Sequence, residues 1–133
     1  MVELVWDAHR QGTGRAPSGA SVHVGHDTHF TPEDLVGIAA ASGLMTALLE
    51  SADAAGVPVL SYLSTAEVVA GDRFEPRGHL RVRAFVTAAN PADRARLEGL
   101  LELAKVKSPI ACLLGDRLDF TLEARVLAGA ELE

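Results

Sequence analysis

Cys112 is the one thiol in a chain of 133 residues. A thiolate is the nucleophilic form of this side chain, and its free pKa of about 8.5 falls beside an arginine or a helix N-terminus. Set between Ala111 and Leu113, Cys112 reads first as a small buried hydrophobe, the usual place of a free cysteine. The alternative is a lone nucleophile. A single cysteine excludes an intrachain disulfide and a cysteine-rich zinc site.

His23, His26 and His29 recur every third residue, with Asp27 among them. Imidazoles and a carboxylate suit zinc and related divalent ions. These histidines span a strand end and a loop, not the i, i+4 face of a helix, so the spacing does not imply convergence. A surface loop with several histidines is the expected reading, and no metal or cofactor is expected. Ser42 stands inside a helical pattern without a G-x-S-x-G elbow, where its hydroxyl bonds back to the preceding turn. Hydrolysis is not expected. The turn Gly14-Arg15 and the helix start Pro32-Glu33 carry a guanidinium and a carboxylate. Taken plainly, Arg15 is a solvated turn residue. Glu33 is a first-turn carboxylate favoured by about 0.3–1 kcal/mol through the helix dipole.

The elements that must position these groups follow from periodicity. Val2 to Ala8 alternates as a strand, Gly12 to Gly19 reads as a turn, and Ala20, Val22 and Val24 mark a second strand. Thr31, Pro32 and Asp34 form a helix start, with N-cap, N1 proline and capping-box acid. The helix runs from Pro32 to Ala55 and ends at Gly56. It is apolar nearly all round, apart from the stripe Ser42, Thr46, Glu50 and Asp53, and so is expected at the centre of a core. Strands over Val59 to Ala70 and Gly78 to Ala88 form a hairpin. A helix capped by Asn90 then runs to Ser108-Pro109, with Leu97, Leu100, Leu101 and Ala104 on one face. A short helical turn reaches Gly115, and a last strand points Phe120, Leu122, Ala124 and Val126 inward. The order β-β-α-β-β-α-α-β predicts an α+β fold with antiparallel sheet and segregated helices. At about one domain per 150 residues, residues 1–133 are expected to form a single domain.

Twelve Lys and Arg against eighteen Asp and Glu give a formal charge of −6, which argues against a nucleic-acid binder. The alternating arginines of Gly78 to Ala88 accordingly read as a solvated sheet face. No apolar run reaches the length of a membrane span, and the N-terminus lacks a signal core. A soluble, cytoplasmic protein is expected, with neither nucleic acid nor membrane as partner.

Thr31-Pro32-Glu33-Asp34-Leu35, followed by Ala41-Ser42-Gly43-Leu44, resembles the PEDL helix of the OsmC/Ohr family. Val59-Leu60-Ser61-Tyr62 and Ala66-Glu67 are similar to that family's next strand. Ala104 through Ser108-Pro109-Ile110, then Leu113-Leu114, resembles its second signature. The resemblance implies an intertwined homodimer, with antiparallel sheets around a long buried central helix, and a two-cysteine reduction of organic hydroperoxides. A peroxidatic thiolate would become a sulfenic acid and then condense with a resolving cysteine. On this resemblance the two cysteine positions fall at Gly43 and Ser108, and neither carries sulfur. Arg15 and Glu33 correspond to the family's thiol-activating pair. The expectation is therefore a family member that has lost its peroxidase site. It would act as a regulatory or small-apolar-ligand-binding homodimer, with an apolar cleft at the old active site. The alternative is an organic hydroperoxide reductase working through Cys112 alone.

Overall fold

Three short strands open the chain: β1 (Glu3–Ala8), β2 (Gln11–Arg15) and β3 (Ser21–Val24), paired antiparallel in that order. The structure is a computed structural model that describes residues 1–25, 29–74 and 78–126. β1 turns directly into β2 through a tight hairpin, at which His9 takes a left-handed φ of 51°. The indole N–H of Trp6 donates to the His9 carbonyl at 2.8 Å across this turn. β2 corrects the expected turn over Gly12 to Gly19. Gly12 and Gly14 conceal the strand in sequence because glycine carries no β preference. A Cβ at Gly12 would come within 2.9 Å of the Val5 carbonyl oxygen, so the close approach of β1 and β2 requires a glycine there. The register stacks Leu4, Gly14 and Val22, and Trp6, Gly12 and Val24, on one face. Val5, Thr13 and His23 lie on the other, and Asp7 sits at a register irregularity between Trp6 and Ala8.

α1 (Pro32–Ala55) has the bounds the sequence predicts. At its start the Asp34 N–H donates to Thr31 Oγ1 at 3.1 Å, and the Thr31 N–H donates to Asp34 Oδ2 at 3.0 Å, a reciprocal capping box. At its end Gly56 takes a φ of 69°. The Val57 N–H reaches the Ala52 carbonyl at 2.9 Å and the Gly56 N–H reaches that of Asp53 at 3.2 Å. This paired closure satisfies two of the last carbonyls.

Contacts divide the chain into two compact units, Met1–Val36 and Gly37–Glu133. In the second, β4 (Ser61–Val69) and β5 (His79–Ala88) pair antiparallel, and β6 (Leu118–Val126) joins the far side of β5 in parallel. That parallel pair corrects the all-antiparallel expectation. Between β5 and β6 the chain makes two helices, α2 (Pro91–Lys107) and α3 (Pro109–Leu114), and a 3-10 turn (Gly115–Arg117). Such a crossover returns the strand in the same direction. Asn90 caps α2 by accepting from the Asp93 N–H at 2.8 Å. Arg96 of α2 donates to the Ala55 carbonyl at 2.9 Å and so holds the C-terminus of α1.

One core cluster serves this unit. Ala40, Leu44, Leu48 and Ala52 of α1 meet Leu80, Val82, Ala84 and Val86 of β5, and Leu97, Leu101 and Ala104 of α2. Only that stripe of α1 is buried, together with Gly37. Ile38 and Leu49 stay 48% and 36% exposed, so the expected burial on most sides is not met within one chain. Ala124 is half-buried and Val126 buried at the end of β6. α1 is long and apolar enough to cross a bilayer, with 24 residues and a window of mean hydropathy 1.6. The buried stripe accounts for part of that apolar content, since 33% of the window is buried within the chain.

Candidate functional site

Gly43 and Ser108 meet. A Cβ built on Gly43 would stand 3.0 Å from Ser108 Oγ and 3.6 Å from Ile110 Cγ1. Two local rules place them. Gly43 sits mid-helix next to the buried Leu44, and Ser108 closes α2 where Pro109 forbids helical continuation. Ser108 takes an extended ψ of 125°, and its N–H bonds back to the Ala104 carbonyl at 3.0 Å. Its hydroxyl does not cap α3. The residue is fully buried, and Oγ has no hydrogen-bond partner among the described residues.

A cavity of about 670 Å³ opens beside this pair, with Ser42, Gly43, Thr46 and Glu50 of α1 on one wall and Pro109 and Ile110 on another. That volume lies in the range of small-molecule sites. The polar stripe read from the sequence thus lines the cavity through Ser42, Thr46 and Glu50; Asp53 does not take part. The wall is amphipathic, with Ala39, Ala47, Ala54 and Ile110 beside the polar stripe. Ser42 donates to the Ala39 carbonyl at 3.2 Å, the back-bonding expected of a helical serine and not the posture of a nucleophile.

An orphaned buried hydroxyl costs about 1–3 kcal/mol relative to a satisfied one. Ser108→Ala is therefore expected to raise the stability of the ligand-free protein by about 1 kcal/mol, read as a higher urea midpoint at unchanged m-value. A lower midpoint would show that the hydroxyl is satisfied in solution.

Cys112 is exposed, which overturns its reading as a buried hydrophobe. Helical periodicity gives the reason: α3 turns Ile110, Ala111 and Leu114 toward the core, leaving Cys112 and Leu113 on its outer side. The Cys112 N–H bonds to the Ser108 carbonyl at 3.3 Å, but the thiol is not among the groups lining the cavity.

Arg15 and Glu33 belong to the first unit. Arg15 lines a second cavity of about 550 Å³, walled mainly by Val2, Leu4, Val22, Val24 and Leu35. Glu33 is exposed and outside that lining, and no ion pair joins it to Arg15 among the described residues.

His23 and His29 do come together, with ring centroids 5.6 Å apart. The Phe30 N–H bonds to the His23 carbonyl at 3.3 Å and the Gly25 N–H to that of Phe30 at 2.9 Å, which pairs Phe30 with the end of β3. His26 and Asp27 lie outside the described residues. Among the described residues no group of three His, Cys, Asp or Glu side chains could hold a metal. Sequence reading missed Thr13, whose hydroxyl donates to Asp7 Oδ2 at 2.6 Å and stands 3.3 Å from His23 Nδ1. Its signal was the alternation of β2, hidden by the two glycines.

Solved structures share this fold at low sequence identity. An OsmC-like protein from Mycoplasma pneumoniae superposes with a TM-score of 0.78 at 9% identity, covering 96% of each chain. An organic hydroperoxide resistance protein OsmC from Legionella pneumophila gives 0.68 at 17%, covering 95% of this chain and 96% of the other. The organic hydroperoxide resistance protein OhrB of Bacillus subtilis gives 0.68 at 16%, covering 93% and 97%. No curated protein sequence matches the chain. The family model described as OsmC-like protein matches residues 25–123, which include α1, Gly43 and the Ser108-Pro109 signature. The chain belongs to the OsmC-like family.

Proposed function

We propose that this chain is a binding or regulatory member of its family that has lost the two-cysteine peroxidase site, and that it works as a homodimer. The observation that carries the reading is the contact of Gly43 with Ser108, 3.0 Å from Cβ position to Oγ, at the edge of a ligand-sized cavity. A glycine and a serine there supply a place to bind and no sulfur to oxidise. Serine has no counterpart of the thiol oxidation ladder and forms no disulfide. The ligand that suits the amphipathic wall is a small molecule with an apolar body and a hydrogen-bonding group. Leu4, Trp6, Val36 and Ile38, each between 45% and 74% exposed, support a second copy as the cover for apolar surface left bare in one chain. The polar sheet residues and net charge of −6 suit a soluble, cytoplasmic dimer.

Wild-type protein is expected to consume no organic hydroperoxide above the uncatalysed rate, and Cys112→Ser is expected to change nothing. Peroxide consumption with a dithiol reductant checks both. Turnover abolished by Cys112→Ser would favour the rival reading, a one-cysteine hydroperoxide reductase. The exposed thiol speaks for that rival only in being accessible, since the cavity that could select a peroxide does not include it. Mass spectrometry of organic extracts from purified protein tests the binding role directly. A stoichiometric small molecule, displaced by Gly43→Phe, is the expected result.

A further inference from the structure

We propose that His23 and His29 form a two-imidazole site for a borderline divalent transition-metal ion, with Thr13 and Asp7 holding His23 in its ligating tautomer. The site goes beyond the cavity reading and lies wholly in the first unit. The chain of contacts begins at Asp7, whose Oδ2 accepts the Thr13 hydroxyl proton at 2.6 Å. With its proton committed there, Thr13 Oγ1 faces His23 Nδ1, 3.3 Å away, as an acceptor. Nδ1 therefore carries the ring proton, and the lone pair of the neutral imidazole sits on Nε2. A ligating histidine that donates its other N–H to an oxygen is the usual arrangement around bound metals, and here a hydroxyl relays the carboxylate to it.

The second imidazole stands at the right range. Two rings bound through metal–nitrogen bonds of about 2.0–2.1 Å have centroids roughly 4.5–5.5 Å apart for bond angles between square-planar and trigonal. The observed centroids are 5.6 Å apart, at the upper edge of that range, with ring planes tilted by 37°. His23 is exposed on the polar face of the sheet and His29 half-buried, so water can complete the coordination. Imidazole ligands, few in number and with open positions, favour Cu²⁺ and Ni²⁺ over Mg²⁺ or Ca²⁺. The negative charge of Asp7 and of the whole chain adds to the attraction for a cation. The sequence alone placed these histidines on a loop with no implied convergence; their pairing comes from the bridge of Val24 to Phe30.

The test is Cu²⁺ titrated into the chelator-washed full-length chain, followed by calorimetry and electron paramagnetic resonance. The expected result is one tight equivalent whose spectrum shows two nitrogen ligands. His23→Gln and His29→Gln should each remove that spectrum and weaken binding by at least about 10-fold, Thr13→Val should weaken it by about 10-fold, and His9→Gln should leave it unchanged. A wild-type spectrum without two nitrogens would overturn the proposal. So would tight binding that survives the double variant, or a loss confined to one of the two histidine variants. The wild-type spectrum stands independently of whether any variant folds.

Discussion

Peroxide or diamide treatment of a Gly43→Cys/Ser108→Cys variant, made in a Cys112→Ser background, is expected to give an intrachain disulfide in nearly every molecule. The geometry is already in place. Across a disulfide with an S–S bond of about 2.04 Å, one Cβ lies about 3 Å from the partner sulfur, and the Gly43 Cβ position lies 3.0 Å from Ser108 Oγ. The bridge would close a loop of about 65 residues, for which the chain-entropy relation gives about 4 kcal/mol of stabilisation. Oxidised and reduced forms of the variant should therefore differ in urea midpoint by an amount no other single change in this chain would match. Helix propensity adds a few tenths of a kcal/mol, since glycine is the poorer helix former. Gly43→Cys alone has the opposite expectation. Its Cβ would press on a buried hydroxyl at a distance tighter than ordinary contact, so that Ser108 must shift. A double variant that keeps two free thiols under oxidant would refute the assignment of these positions to the family's cysteine pair. Restored peroxide turnover is a stricter result, because a new thiolate also needs a depressed pKa, and Arg15 and Glu33 form no ion pair ready to supply it.

Sedimentation at low micromolar concentration is expected to show one species of twice the 14.0 kDa chain mass, with no stable monomer. Every residue of β1 is exposed, and Leu4 and Trp6 are 70% and 74% exposed. Ile38 and Leu49 on α1, outside the buried stripe, add further bare apolar surface. Exposed large apolar side chains gathered on one strand are the kind of surface a partner covers. An obligate interface, as apolar as a core, would remove it. Because Cys112 is exposed, a disulfide between copies is chemically open, so the decisive sample is Cys112→Ser: its mass should remain that of the dimer. Ile38→Asp should lower both the dimer fraction and the unfolding midpoint, since folding and association are then one equilibrium. A stable, cooperatively folding monomer of the wild type would overturn the homodimer proposal.

How much of this was legible beforehand varies by element. α1 was read to its terminal residues because its ends are local chemistry: Thr31 and Asp34 satisfy the first N–H groups, and Gly56 alone suits the left-handed closing residue. α2 was legible for the same reason, through Asn90 and Pro91. β2 was not, because two glycines erase the alternation by which a strand is recognised, and its pairing is decided by β1 and β3. The parallel β5–β6 pair was equally hidden, since direction depends on where two intervening helices return the chain.

For the site, the sequence carries one thiol, and the family resemblance puts the two cysteine positions at Gly43 and Ser108. Packing settled everything that depends on contact between distant segments. It set Gly43 against a buried, unpartnered Ser108. It turned Ser42, Thr46 and Glu50 from a solvated stripe into a cavity wall. It put Cys112 on the outside of α3 and brought Asp7, Thr13, His23 and His29 together. The physical reason is range. Caps, turns and helical periods are settled within about one turn of chain, whereas burial and side-chain encounters are settled by which segments pack together, and residues far apart in sequence carry no local mark of their partners.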